Sequence, residues 1–445
     1  MNDKVKKNGE IRPRIVRHRM LNASERYHVL LFAFVATVSF MGCSSNERKP
    51  ADAAGDDDVN RRELFYIDVE KAIEKIDMKL SVPISRFVRD VEYIPLETTK
   101  QSVFSRWTNR FFTSYMTGKY LIAAMKVFNR SDGTFAFELA QRGQGPGDYL
   151  YPTGFAADDE REEFYILDTN GKLMVYDYAN HFKFATGAGE DRQMVYLGDG
   201  KILIDRGLSR FSSHYTYHDY KVIDVDSTGV QLARHVSSAV RGRENLAGID
   251  GIFKLHDSFC VSEKNKYWNY DGNWYYYESL TDSVFVLNSG FEPEAIGYLN
   301  MKELKMTQEQ FDTPSMSCDF FRWSISSIGE TKDYLFISMY ASRATTQESK
   351  KHALIYSKKE KTTVAVDIDN IENDIDYGLP GISFWGPILH ESSAYTLRFP
   401  DDCKDMVRSR KPSVYVSGKA KAFKEMTARL AGDDNDVVCI YHYNE

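Results

Sequence analysis

The run Gly143-Gln-Gly-Pro-Gly147 comes nearest to a binding chemistry in residue type and spacing. Glycines can let backbone N–H groups approach a phosphate, especially where a helix opens behind them. Here the spacing is G-x-G-x-G rather than the dinucleotide fingerprint, no helical pattern follows, and Pro146 removes one donor. The competing reading is a tight crossing between two strands, with the glycines supplying positive φ. On that reading the side chains around the run can still line a rim: Arg142, Gln144, Asp148, Tyr149 and Tyr151, with Asn170 from the next turn. Arg142 brings a planar, permanently charged fork suited to carboxylate or phosphate. Tyr149 and Tyr151 bring flat apolar surface with a polar tip.

Other chemistry-bearing residues are scattered. His214 and His218 lie four apart and share a face on a strand or a helix, but metal ligation needs a third group, and Asp219 would face the other way on a strand. Asp168, Asp177, Asp224 and Asp226 fall at strand ends and turns, where carboxylates usually accept backbone N–H bonds. Trp268, Tyr270 and Trp274 to Tyr277 form the densest aromatic cluster, suited to stacking on sugars and peptides or to packing between sheets. Neither G-x-S-x-G nor H-E-x-x-H occurs. The five cysteines, at 43, 260, 318, 403 and 439, show no CxxC and no Cys/His spacing, so no zinc site is expected. Disulfides among the last four fit an exported chain, and buried thiols in strands are the simpler reading. No cofactor is expected. The net charge of −7 argues against a nucleic-acid partner, which calls for a basic surface.

The elements that must position these residues repeat. Tyr120 to Tyr149 and Phe164 to Gly187 are near copies, with Val127 and Val175 48 residues apart at matching places. Val222, 47 residues after Val175, heads a third hairpin, and Val284 and Leu354 head two more at wider intervals of 62 and 70, which implies long loops at Val240 to Gly251 and Met301 to Phe311. Four short strands in each unit of about 40–50 residues is the arithmetic of a propeller blade. In the second unit the expected strands are Gly154 to Ala157, Phe164 to Asp168, Lys172 to Asp177 and Phe182 to Thr186, with Asn170-Gly171 as a hairpin turn. The crossing Arg142 to Tyr149 and this turn then emerge on one face. Near the N-terminus Val91 to Glu97 alternates, and Pro95 places that strand at an edge. Val437 to Tyr443 is an isolated strand at the C-terminus. Pairing the two in one blade removes two exposed edges together and brings the count to six. Leu64 to Leu80 carries a helical pattern, and Ser417 is placed to cap a helix over Gly418 to Ala431. The sequence thus predicts an all-β, six-bladed β-propeller over residues 63–445, closed by its N- and C-terminal strands, with a short C-terminal helix.

Ahead of the propeller lie basic residues, then Val29 to Met41, then Gly42-Cys43. Thirteen largely apolar residues are too few to span a bilayer, which takes about 20. They suit a secretory signal peptide over residues 1–43, with Met20 an alternative start. Phe40-Met41-Gly42-Cys43 resembles a lipobox, which implies lipidation at Cys43 and a membrane partner reached through that anchor. Residues 44–62 lack apolar periodicity and read as a flexible tether.

Tyr93 to Thr98, Arg142 to Tyr149, Thr281 to Phe285 and Asn435 to Tyr441, in that order, resemble the six-bladed β-propeller lipoproteins of Bacteroides-type bacteria. Phe164 to Asp177 is also similar to an NHL-type propeller repeat. The resemblance implies fold and location in the cell envelope, at the outer membrane, but no activity. Together these readings favour a binding or scaffold module for a glycan, a peptide or a partner protein over an enzyme. The alternative is a propeller hydrolase or lyase with a metal in its central channel.

Overall fold

In the computed structural model, the described residues are 65–104, 114–188, 193–205, 209–211, 214–216, 219–226, 229–236, 265–279, 281–305, 319–343, 345–379, 393–416 and 418–444. Six antiparallel sheets form the ring of a six-bladed β-propeller. Blade 1 contains Tyr115–Met116, Tyr120–Ala123, Lys126–Asn129 and Phe135–Glu138 from the centre outward. Blade 2 contains Pro152–Asp158, Glu163–Asp168, Lys172–Asp177 and Phe182–Gly187. Blade 3 contains Gln193–Gly198, Lys201–Asp205, Asp219–Asp224 and Gln231–Val236. Blade 4 contains Lys266–Tyr270, Asn273–Glu278, Ser283–Leu287 and Pro293–Asn300, and blade 5 Arg322–Glu330, Tyr334–Arg343, Glu348–Ser357 and Thr362–Asp367. Val127, Val175, Val222, Val284 and Leu354 all fall on the third strand of their blade, so the repeat landmark and the structural repeat coincide.

Blade 6 closes the ring as expected. Its order is Ser393–Arg398, Val437–Tyr443, then Val88–Pro95, so the two chain ends share one sheet. The register runs from Val437 opposite Pro95 to His442 opposite Asp90. Pro95 sits on the outer strand, where its missing N–H interrupts no ladder. Asn435 locks the seam: its side-chain amide donates to Glu97 O at 2.8 Å and to Ser102 O at 3.0 Å.

The hydrophobic core is divided into layers between blades, because both faces of each sheet are covered. Phe164 and Ile166 pack toward blade 1, while Tyr165 and Leu167 pack toward blade 3, and all four are fully buried. Successive side chains on a strand point to opposite faces, so a strand buried on both reads as a continuous apolar run. Six such clusters link neighbouring blades, the last joining Ile94, Val438 and Ile440 of blade 6 to Leu121 and Phe128 of blade 1. The aromatic cluster belongs to this packing. Trp268 and Tyr275 to Tyr277 are buried, and the Tyr276 ring stacks on Phe285 with centroids 4.9 Å apart.

Three expectations need correction. Over Leu64 to Leu80 only Val69–Glu74 is helical; Phe65–Asp68 before it is a strand that adds in parallel to the outer edge of blade 4. Main-chain pairing at a sheet edge overrides a weak helical pattern. Gly297, opposite Phe65, leaves room for that ring, since a Cβ there would stand 2.8 Å from it. The expected helix is present at Gly418–Arg429, but a second helix, Pro400–Ser409, precedes it in the same connection between two strands of blade 6. Finally, no glycine of the 143–147 run has positive φ. Of the expected loops, residues 301–305 are described, with one 3-10 turn at Lys302–Leu304. The stretch Val240 to Gly251, together with Ser417, Cys43, Cys260, Cys318 and His218, lies outside the described residues. Cys403 and Cys439 are free and buried. Among the described residues no helix is long and apolar enough to cross a membrane.

Candidate functional site

Strand direction fixes two ends of the ring. One end carries the crossings between blades, the starts of first and third strands and the ends of second and fourth strands. The crossing Gln141 to Tyr151 and the turn after Asp168 both lie there, as expected, and they are bonded together. Asp168, fully buried, accepts from the Leu150 and Tyr151 N–H groups at 3.1 and 2.7 Å. Asn170 Oδ1 accepts from the Lys172 N–H at 3.1 Å, and the Lys172 ammonium donates to the Gly145, Pro146 and Asp148 carbonyls. Gly171, at φ +74°, makes the turn.

The glycines of the crossing have a steric purpose. Asp148 turns its carboxylate into its own loop, where Oδ2 accepts from the Gly145 N–H at 2.8 Å. A Cβ on Gly143 would lie 2.2 Å from that oxygen, and one on Gly145 would lie 3.0 Å from it. The Gly143 N–H donates to Tyr149 O at 3.0 Å. With both amides engaged and Pro146 lacking one, the loop is not set up to cradle phosphate. Tyr149 is half-buried against the layer between blades 1 and 2. Arg142, Gln144, Tyr151 and Asn170 stay exposed, and the Arg142 guanidinium lies 4.6 Å from the centre of the Tyr151 ring. The predicted rim therefore separates into two braces, Asp148 and Tyr149, and four exposed side chains. His214 lies on a short hairpin strand, His214–Thr216, paired with Ser209–Phe211.

The same end of blade 5 holds a cleft of about 620 Å³ that sequence reasoning did not find. Its floor comes from Trp323 on the first strand, Glu348 to His352 on the third and Asp367 at the end of the fourth. Ile73 from the N-terminal helix, with Ile76 and Met78 just after it, forms the opposite wall. The Asn370 side chain holds that wall by donating to Met78 O at 2.8 Å. The His352 ring is tilted against Trp323, centroids 5.5 Å apart, and is only 4% exposed. Its Nδ1 is buried without a hydrogen bond, 3.7 Å from Asp367 Oδ2. Burial disfavours the imidazolium and lowers the His352 pKa, with Asp367 partly opposing. Trp323, His352 and Asp367 belong to no motif; only strand pairing and the neighbouring wall bring them together.

One further polar chain crosses blade 6. Ser393 Oγ lies 2.9 Å from His442 Nδ1, and His442 Nε2 lies 3.5 Å from Glu92 Oε2. The three residues come from its three strands and link them side chain to side chain. Among the described residues, no group of three or more His, Cys, Asp or Glu side chains is placed to share a metal ion.

Residues 64–442 match the family described as "Domain of unknown function (DUF4934)". The chain belongs to this family. Among solved structures it is similar to a Bacteroides fragilis protein described as exported, at 15% identity and TM-score 0.55, over 86% of this chain and 99% of the other. It is also similar to a DUF4221 member from Bacteroides vulgatus, at 10% identity and TM-score 0.44, over 80% and 97%. A search of curated proteins returns no match. At 15% identity the DUF4934 chain shares a fold with the Bacteroides fragilis protein, and the likeness carries nothing about ligand.

Proposed function

We propose that the protein is an envelope lipoprotein, held at the outer membrane through Cys43, whose ring binds a ligand on the face that carries the crossings. The ligand class is a glycan, a peptide or a partner protein. The cleft beside Trp323 carries this reading: its volume of about 620 Å³ falls within the range of roughly 300–1,000 Å³ usual for small-molecule sites, and it combines an aromatic ring with several polar groups. The exposed pair Arg142 and Tyr151 lies on the same face and extends the surface open to a larger ligand. The description of the Bacteroides fragilis protein as exported supports the location, as does the short apolar segment ending at Gly42-Cys43.

Two measurements test it. Cys43→Ala should move the protein from the membrane to the soluble fraction, and equal membrane retention would reject the anchor. Immobilised protein should capture at least one member of a panel of glycans and peptides, and Trp323→Ala should reduce that capture. Capture that Trp323→Ala leaves unchanged would reject the cleft as the binding site.

A further inference from the structure

We infer that the cleft beside Trp323 takes an uncharged saccharide unit, a conclusion that rests on the cleft being the binding site proposed above. Charge narrows the choice. Glu348, Asp367 and Asp369 line the cleft together with Lys350 and Lys351, and His352 is held toward its neutral form. A phosphate, a uronate or a basic peptide side chain would meet like charge in so small a space, and like-charge contacts select against a partner. A neutral polyol meets acceptors in the carboxylates and donors in the ammonium groups.

Shape points the same way. Trp323 gives a half-exposed flat ring, and Ile73, Ile76 and Met78 give apolar surface opposite. A pyranose ring offers a C–H face to the indole and hydroxyls at its edge, which matches a cleft apolar on its faces and polar around its rim.

The test uses the full-length protein with three probes: a neutral hexose oligosaccharide set that includes N-acetylated members, a uronate oligosaccharide and a lysine-rich peptide. Binding is measured by calorimetry and placed by co-crystallisation. The expected result is binding of a neutral oligosaccharide in the cleft, weakened about tenfold or more by Trp323→Ala through lost ring contact. Trp323 also packs beside the layer between blades 4 and 5, so Glu348→Gln, on an exposed residue, serves as a second variant and should also weaken binding. Occupation of the cleft by the uronate or the peptide in preference to neutral sugar would overturn the saccharide inference and leave the site standing. Binding of every probe elsewhere, or of none, with the cleft empty in the crystals, would overturn both.

Discussion

Gly143→Ala tests why the crossing needs its glycines. The new Cβ would stand 2.2 Å from Asp148 Oδ2 and 2.9 Å from Cγ, so the carboxylate must swing away. That movement breaks its 2.8 Å bond with the Gly145 N–H. A hydrogen bond to a charged group contributes about 1.5–3 kcal/mol. Opposing this, Ala restricts the unfolded chain and returns about 0.4–1 kcal/mol where the backbone tolerates it. Gly143 is not among the positive-φ residues, so that gain applies. The net loss should be about 0.5–2.5 kcal/mol. In an Asp148→Ala background there is no carboxylate to displace, and the same Gly143→Ala change should be neutral or stabilise by up to about 1 kcal/mol. The effect thus changes sign with the residue at 148. Urea midpoints of the four proteins, compared at constant m-value, measure it. If Gly143→Ala costs the same in both backgrounds, within about 0.5 kcal/mol, the two sites are independent and the steric explanation fails.

Further outcomes follow from the same geometry. Deleting residues 436–445 removes the middle strand of blade 6 and unpairs both its neighbours, so the protein should aggregate or lose cooperative melting; calorimetry showing an unchanged transition would place ring closure elsewhere. Burial holds the His352 pKa below its unfolded value of about 6.5. The unfolded chain therefore binds that proton first, and the contribution, complete above about pH 6.5, is lost as pH falls through the folded value; His352→Asn should flatten the stability profile between pH 7 and 5, and an unchanged slope would contradict this. Burial pushes the Cys403 thiol up to about 12 and the Cys439 thiol well above its usual range. Iodoacetamide at neutral pH should therefore leave both unlabelled until urea unfolds the ring, as read by peptide mass spectrometry; rapid native labelling would refute their burial. Arg142→Ala should change stability by less than about 0.5 kcal/mol, whereas Tyr149→Ala, which opens space between blades 1 and 2, should cost more; equal urea midpoints for the two variants would remove the distinction between rim and brace.

The blade count and the closure were legible in the sequence alone. Third strands repeat as short apolar runs before polar turns, and Pro95 marks the outer strand because an X-Pro nitrogen cannot join a ladder. These are local signals, carried by neighbours in the chain. Register needed the tertiary structure: the pairing of Val438 with Ile94 depends on Asn435 bonding to backbone at Glu97 and Ser102, more than 300 residues away in sequence. The same holds for the crossing. Its glycines were legible as a tight connection, but their cause is the Asp148 carboxylate folded against them, not the positive φ that the sequence suggested. The cleft was not legible at all. Trp323, His352 and Asp367 lie on three strands of one blade, and the wall facing them comes from residues 73–78, held between the pairing of Phe65–Asp68 with blade 4 and the Asn370 bond to Met78. A site assembled from such distant segments leaves no spacing to read. It exists only once packing and strand pairing have fixed where each segment passes.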